Sequence, residues 1–180
     1  MAAAGARSLL DRAFDAIRWV AEAWALVGGL LLVAVVLVNA VSLAGNILLS
    51  QPVPGDFEIV EVGVAVAIFA FLPYCQLTDA NVTADIFTAG ANRFWQSVFV
   101  LVASAIALGF SVILLWRMWF GLLDFRTYEE VTTIYQFPLW IAYLPILASL
   151  ALLVLASLVT LVEAARGRPE LSIAVPRGSE

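Results

Sequence analysis

Four apolar runs, parted by short polar stretches, organise this chain: about residues 23–48, 57–76, 94–119 and 138–162. Each approaches or exceeds the ~20 residues that a helix needs to cross the hydrocarbon layer of a bilayer. No charge interrupts Ala23 to Leu48, or the stretch between Arg93 and Arg117. The second run is the weakest, because Glu58 and Glu61 shorten its uncharged part and Pro73 lies near its end. The fourth opens at Pro138, whose fixed φ suits a first helical turn, and carries Pro145 inside, where a kink is expected.

The joining segments have their own patterns. In residues 1–22, Asp11, Asp15, Arg18 and Glu22 recur at helical spacing beside a stripe of Leu10, Phe14, Ile17 and Ala21. This predicts an amphipathic helix leading into the first span, on the membrane surface or against a partner. The run Gln51-Pro52-Val53-Pro54-Gly55-Asp56 predicts a tight loop, with Asp56 as N-cap of the second helix and Glu58 and Glu61 favoured by its dipole. Residues 77–93 start polar and become amphipathic through Ile86 and Phe87, which predicts a short interfacial helix. A polar loop is expected through Asp124, Arg126, Glu129 and Glu130, and a polar, unstructured tail over 166–180. The fold class is therefore an all-α integral membrane protein: an amphipathic segment (1–22), a four-helix transmembrane domain (23–165) and the tail.

Composition narrows the function. Hydrophobic residues make up 63% of the chain and charged residues 13%. That is more apolar surface than one soluble core of this size could hide, whereas lipid solvates it once each backbone closes on itself as a helix. No His is present, which excludes His-ligated haem, His-based zinc sites and His acid–base catalysis. The lone Cys75 excludes an internal disulfide or a multi-Cys metal site, and its apolar setting reads as a buried thiol. Neither a cofactor, a metal nor a catalytic residue is expected. The net charge of −5 gives no footing for nucleic acid.

Charge also orients the chain. Arg7, Arg12, Arg18, Arg93, Arg166, Arg168 and Arg177 fall on one side of a four-span topology, and only Arg117 and Arg126 on the other. The positive-inside rule puts both termini and the central loop in the cytoplasm. Trp19, Trp24 and Trp95 then mark the cytoplasmic boundary, and Trp116, Trp119 and Trp140 the opposite one. Every acid and every Arg sits in a loop or near a helix end, unlike in proteins that carry ions or charged solutes through mid-membrane. Asn39, Ser42 and Asn46 form a polar stripe on the first helix, and Ser97, Ser104 and Ser111 another on the third. These fit helix packing, with Ala103 and Ala107 adding a small-residue face, better than a solute path.

Three stretches resemble a known family in order and spacing. Asn46 to Glu58 is similar to the end of helix one, the Pro-x-Pro turn and the acidic start of helix two in the DctQ-type small membrane subunit of tripartite ATP-independent periplasmic (TRAP) transporters. Thr78 to Asp85 stands where that family has a short polar turn, with Asn81 and Thr83 in place of its common His and Arg and Asp85 kept. Phe137-Pro138-Leu139-Trp140-Ile141-Ala142-Tyr143 is similar to the family's Ile-Pro-x-Trp-x-x-Tyr opening of the last helix.

The resemblance implies a scaffold subunit of the bacterial inner membrane. It would pair with a large DctM-type elevator subunit holding the substrate and sodium sites, served by a periplasmic substrate-binding protein that delivers an organic acid. Candidate partner contacts are Glu58, Glu61, Asp85, Glu129, Glu130, Pro138 and Trp140. Other readings of the residues are a four-span accessory subunit of a tripartite tricarboxylate transporter, a membrane anchor of another complex, and a small-solute channel formed by oligomerisation.

Overall fold

The computed structural model describes residues 2–78 and 93–166. Four helices lie within them: α1 (Ala2–Leu49), α2 (Asp56–Leu77), α3 (Arg93–Thr127) and α4 (Leu139–Ala165). All four are long and apolar enough to cross a membrane. Among the described residues the only β pairing is an isolated bridge between Val131 and Pro138. The interfacial helix expected within 77–93, with Asp85, lies outside the described residues, as does the tail beyond Arg166.

Two boundaries differ from the sequence expectation. The amphipathic segment is the unbroken beginning of α1, with no Pro in it to end the helix. Its stripe has a partner within the chain: Phe14 and Ile17 pack against a cluster of Ala21, Leu77, Ala156 and Val159. Arg18 pairs with Glu163 at 2.7 Å and Arg166 reaches Asp11 at 4.0 Å. These ion pairs are partly exposed and add little beyond register. The third helix continues to Thr127, so Asp124 and Arg126 are helical rather than in a loop. Buried Leu122 and a Phe125–Tyr143 ring contact, with centroids 4.9 Å apart, hold that extension to α4.

The helices form an open layer in the order α1, α2, α4, α3, not a closed square. α2 packs between α1 and α4, and α3 packs along α4 without comparable contact to α1 or α2. Half of the apolar window of α4 is buried, against 6% for α3, so α4 carries the core. Its Ile146, Leu150 and Leu153 meet Val66, Phe69 and Leu72 of α2 on one side and Leu114, Leu115 and Met118 of α3 on the other.

The α1–α2 pair follows a seven-residue register. Ala21 packs with Leu77, Gly28 lies on Ala70, Val35 on Gly63, and Ser42 hydrogen-bonds Asp56. Each step advances seven residues along α1 and retreats seven along α2, the repeat that keeps one seam of two helices in contact. Small residues at the seam let the backbones approach closely. Lipid tails are as apolar as Leu, so van der Waals contact at such seams, rather than expulsion of water, drives association.

Trp24 also has a partner within the chain. Its indole is half-buried, and its N–H donates to the Ser149 hydroxyl at 2.8 Å, which in turn donates to the Pro145 carbonyl at 2.8 Å. Trp19 is 70% exposed. Replacing Trp24 by Phe removes one interhelical donor while keeping a ring. It should lower stability in mixed micelles by about 0.6 kcal/mol, read as the shift of an SDS unfolding midpoint. An unchanged midpoint would mean the bond contributes nothing.

Candidate functional site

The candidate site is the end of the layer where two loops meet, residues 50–55 between α1 and α2 and residues 128–138 between α3 and α4. α1 stops because Ser50 adopts a left-handed conformation (φ 53) and the Gln51 N–H turns back to the Gly45 carbonyl at 3.3 Å. This is the 6→1 bond of a helix C-terminus, and Pro52 then prevents continuation. Gly55, also left-handed (φ 72), is the N-cap residue of α2. Asp56 is thus the first residue of the helix, not the side-chain cap expected of it. One carboxylate oxygen accepts from the Phe57 N–H at 2.7 Å, and the other takes the Ser42 hydroxyl. That hydroxyl oxygen also accepts the Val53 N–H at 3.1 Å, so a single buried serine fastens the loop to α1.

The longer loop is a small hairpin. The Thr132 N–H donates to the Phe137 carbonyl and the Phe137 N–H to the Thr132 hydroxyl, both at 3.0 Å. The Leu139 N–H donates to Glu130 O at 3.1 Å. Glu129 (φ 49) and Gln136 (φ 51) take left-handed positions at its two bends.

Glu58 clamps this hairpin to α2. One of its carboxylate oxygens accepts the Ile134 N–H at 2.6 Å and the other the Tyr135 N–H at 3.1 Å. Tyr135 reaches on, its hydroxyl donating to the Pro54 carbonyl at 2.7 Å while its ring covers Gly55. Loops whose bonded residues are 76 to 81 positions apart therefore form one platform.

The predicted contact residues divide on this platform. Glu58 is engaged by the hairpin backbone. Glu61, Glu129 and Glu130 are exposed, as is Asp124. Pro138 pairs with Val131 and caps α4, and Trp140 is half-buried with the Arg126 guanidinium 5.9 Å from its ring centre. Of the platform residues, Ser42 is expected only as a packing residue and Gly55 only as a loop former, and Tyr135 is not singled out by the sequence; an aromatic in a polar loop is the one signal it gives.

The polar stripes also resolve. Ser42, Ser104 and Ser111 are buried; the latter two donate to the Val100 and Leu108 carbonyls of their own helix, both at 2.8 Å. Ala107 is half-buried, while Ala103 faces outward, as do Asn39 and Asn46. Cys75 is a free thiol, half-buried rather than enclosed. Among the described residues, no three Cys, Asp or Glu side chains lie close enough to hold a metal ion. A cleft of about 230 Å³ at the other end of the layer is lined by Arg18, Glu22, Tyr74, Leu77 and Thr78.

Compared with known proteins, residues 44–167 match the family model described as the DctQ component of tripartite ATP-independent periplasmic transporters. Neither the curated proteins nor the solved structures give a match.

Proposed function

The chain belongs to the DctQ family, the small component of TRAP transporters, and from that premise we propose that it is a scaffold subunit that braces the large permease subunit and holds no substrate itself. The family is one of transporter components, not of enzymes. In this reading the large subunit carries the substrate and sodium sites, and a periplasmic binding protein delivers an organic acid. The protein lies in the bacterial inner membrane with both termini cytoplasmic, the orientation favoured by its Arg distribution.

The observation that carries the scaffold reading is where the spans spend their polar groups. Ser104, Ser111, Ser149 and Thr160 are buried and donate to carbonyls of their own helices, and Ser42 fastens a loop. None of these groups is arranged with others into a route across the layer. The test is reconstitution. Liposomes holding both membrane subunits and supplied with the binding protein should accumulate substrate under a sodium gradient, and liposomes holding this chain alone should not. Uptake by the chain alone would overturn the assignment and favour the channel reading.

The platform is where the binding protein docks in this proposal. Its two loops are joined through Glu58 and Tyr135, it faces the periplasm in the favoured orientation, and its Glu61, Glu129 and Glu130 are exposed while Pro138 and Trp140 are half-buried. Asp85, outside the described residues, would contact a partner on the cytoplasmic side. Complementary charge acts mainly on encounter rate and is screened by salt. Exchanging Glu129 and Glu130 for Lys should lower uptake about tenfold at low ionic strength and flatten its salt dependence. Unchanged uptake with unchanged salt response would remove these acids from docking.

A further inference from the structure

α1 and α3 are the two edges of the layer, and their outward faces differ chemically. On α3 the exposed face is apolar through Val102, Ile106, Phe110 and Ile113, and Ser104 and Ser111 are turned in and bonded to their own helix. Lipid tails can cover such a surface without leaving a polar group unmet. On α1 the outward face carries Asn39 among Val36 and Leu43, with Asn46 two turns further on. No hydrogen bond joins either amide to a described residue.

Depth separates the two amides. Asn46 lies three residues from the end of α1 at Leu49, within reach of headgroups and water. Asn39 lies ten residues from that end, about 15 Å along the axis, the half-thickness of the hydrocarbon layer. A primary amide has two donors and one acceptor, and hydrocarbon offers no partner for any of them. Polar groups at such depth face protein or a watery cavity.

We propose that the α1 face centred on Asn39 is the seat of the large membrane subunit, one of whose transmembrane helices presents a hydrogen-bonding group to the Asn39 amide. The proposal rests on the family reading above and adds which edge of the layer is occupied. α1 is favoured over α3 because only at α1 does lipid leave a mid-membrane polar group without a partner.

The test uses the complex of this chain with its large subunit, purified through a tag on this chain. Asn39→Leu should reduce the retained large subunit by about threefold to fifteenfold, while Ile106→Leu on α3 leaves it unchanged. In a Cys75→Ala background, Asn39→Cys carrying a photoactivatable maleimide should form an adduct with the large subunit. Full retention by Asn39→Leu together with no such adduct overturns the proposal. So does an adduct with a second copy of this chain, or a large-subunit adduct from Ile106→Cys with none from Asn39→Cys. If the unsubstituted chain retains no large subunit at all, the family-based reading fails with it; if it does and the Asn39 variants behave like it, only the choice of edge fails.

Discussion

Alanine at Gly28 is expected to loosen the α1–α2 seam by about 1–3 kcal/mol, the range for overfilling a packed contact. A Cβ there would stand 2.7 Å from the Cβ of Ala70 and 3.4 Å from the Ala67 carbonyl oxygen. Neither neighbour can swing aside, because one is the first side-chain atom and the other is backbone. The helices themselves must separate. The seam continues with Val35 on Gly63 and Ser42 on Asp56, so separation at Gly28 strains the Ser42 link to the loop platform as well. The contrast with Gly63 sharpens the expectation. A Cβ at Gly63 meets only the Val35 side chain, colliding with one methyl at 2.4 Å and touching the Cβ at 3.8 Å, so Gly63→Ala should be relieved by Val35→Ala. For Gly28→Ala the matching relief is Ala70→Gly, which removes the opposing Cβ. The double variant should recover most of the loss, a coupling of about 1–2 kcal/mol measured as SDS unfolding midpoints in a double-mutant cycle. Additive losses would show that the two positions do not touch.

The second large effect is expected at Gly55. Its φ of 72 is left-handed, which costs an L-residue about 1–2 kcal/mol. An alanine Cβ would also lie 2.4 Å from the Tyr135 ring. Displacing that ring breaks the bond from its hydroxyl to Pro54 and disturbs the Tyr135 N–H on Glu58. Gly55→Ala should therefore undo the joint between the two loops while leaving the spans inserted. Protease cleavage within residues 128–138 should rise and retention of the binding protein should fall, with total stability lower by about 2–3 kcal/mol. Adding Tyr135→Ala relieves the collision but not the backbone strain, so the double variant should regain part of the stability and none of the joint. Cleavage and binding unchanged in Gly55→Ala would show that the joint has no part in docking.

Much of the architecture was legible before any coordinates. Apolar runs located all four helices because a span must exceed the thickness of the hydrocarbon layer whatever it packs against. Pro52, Pro54 and Gly55 announced the first loop because their backbone limits are local. The family was legible from the order of short motifs, in particular the Pro138, Trp140 and Tyr143 opening of α4. Less visible were the ends of elements. Asp124 and Arg126 looked like loop residues by polarity, yet the Phe125–Tyr143 contact continues the helix past them. Asp56 looked like a cap, but the left-handed Gly55 takes that place and frees its carboxylate for Ser42. The clamp between Glu58 and the backbone of Ile134 and Tyr135 joins residues 76 and 77 positions apart, and nothing local in either segment signals the other.

What the sequence determined by itself is the number of spans, their order and their lack of mid-membrane charge. What only the tertiary structure decided is the direction each helix faces. In a soluble helix the apolar face is the buried face, because water rewards that arrangement and periodicity reveals it. In a span, lipid and protein neighbours are equally apolar, so Ala21, Gly28, Val35 and Ser42 form a seam that hydropathy does not distinguish from any other seven-residue line. The stripe of Asn39, Ser42 and Asn46 shows the consequence: Ser42 is buried against α2 and its loop, while the two amides face outward. Close fit of small residues chose that rotation, and fit exists only once two helices are brought together.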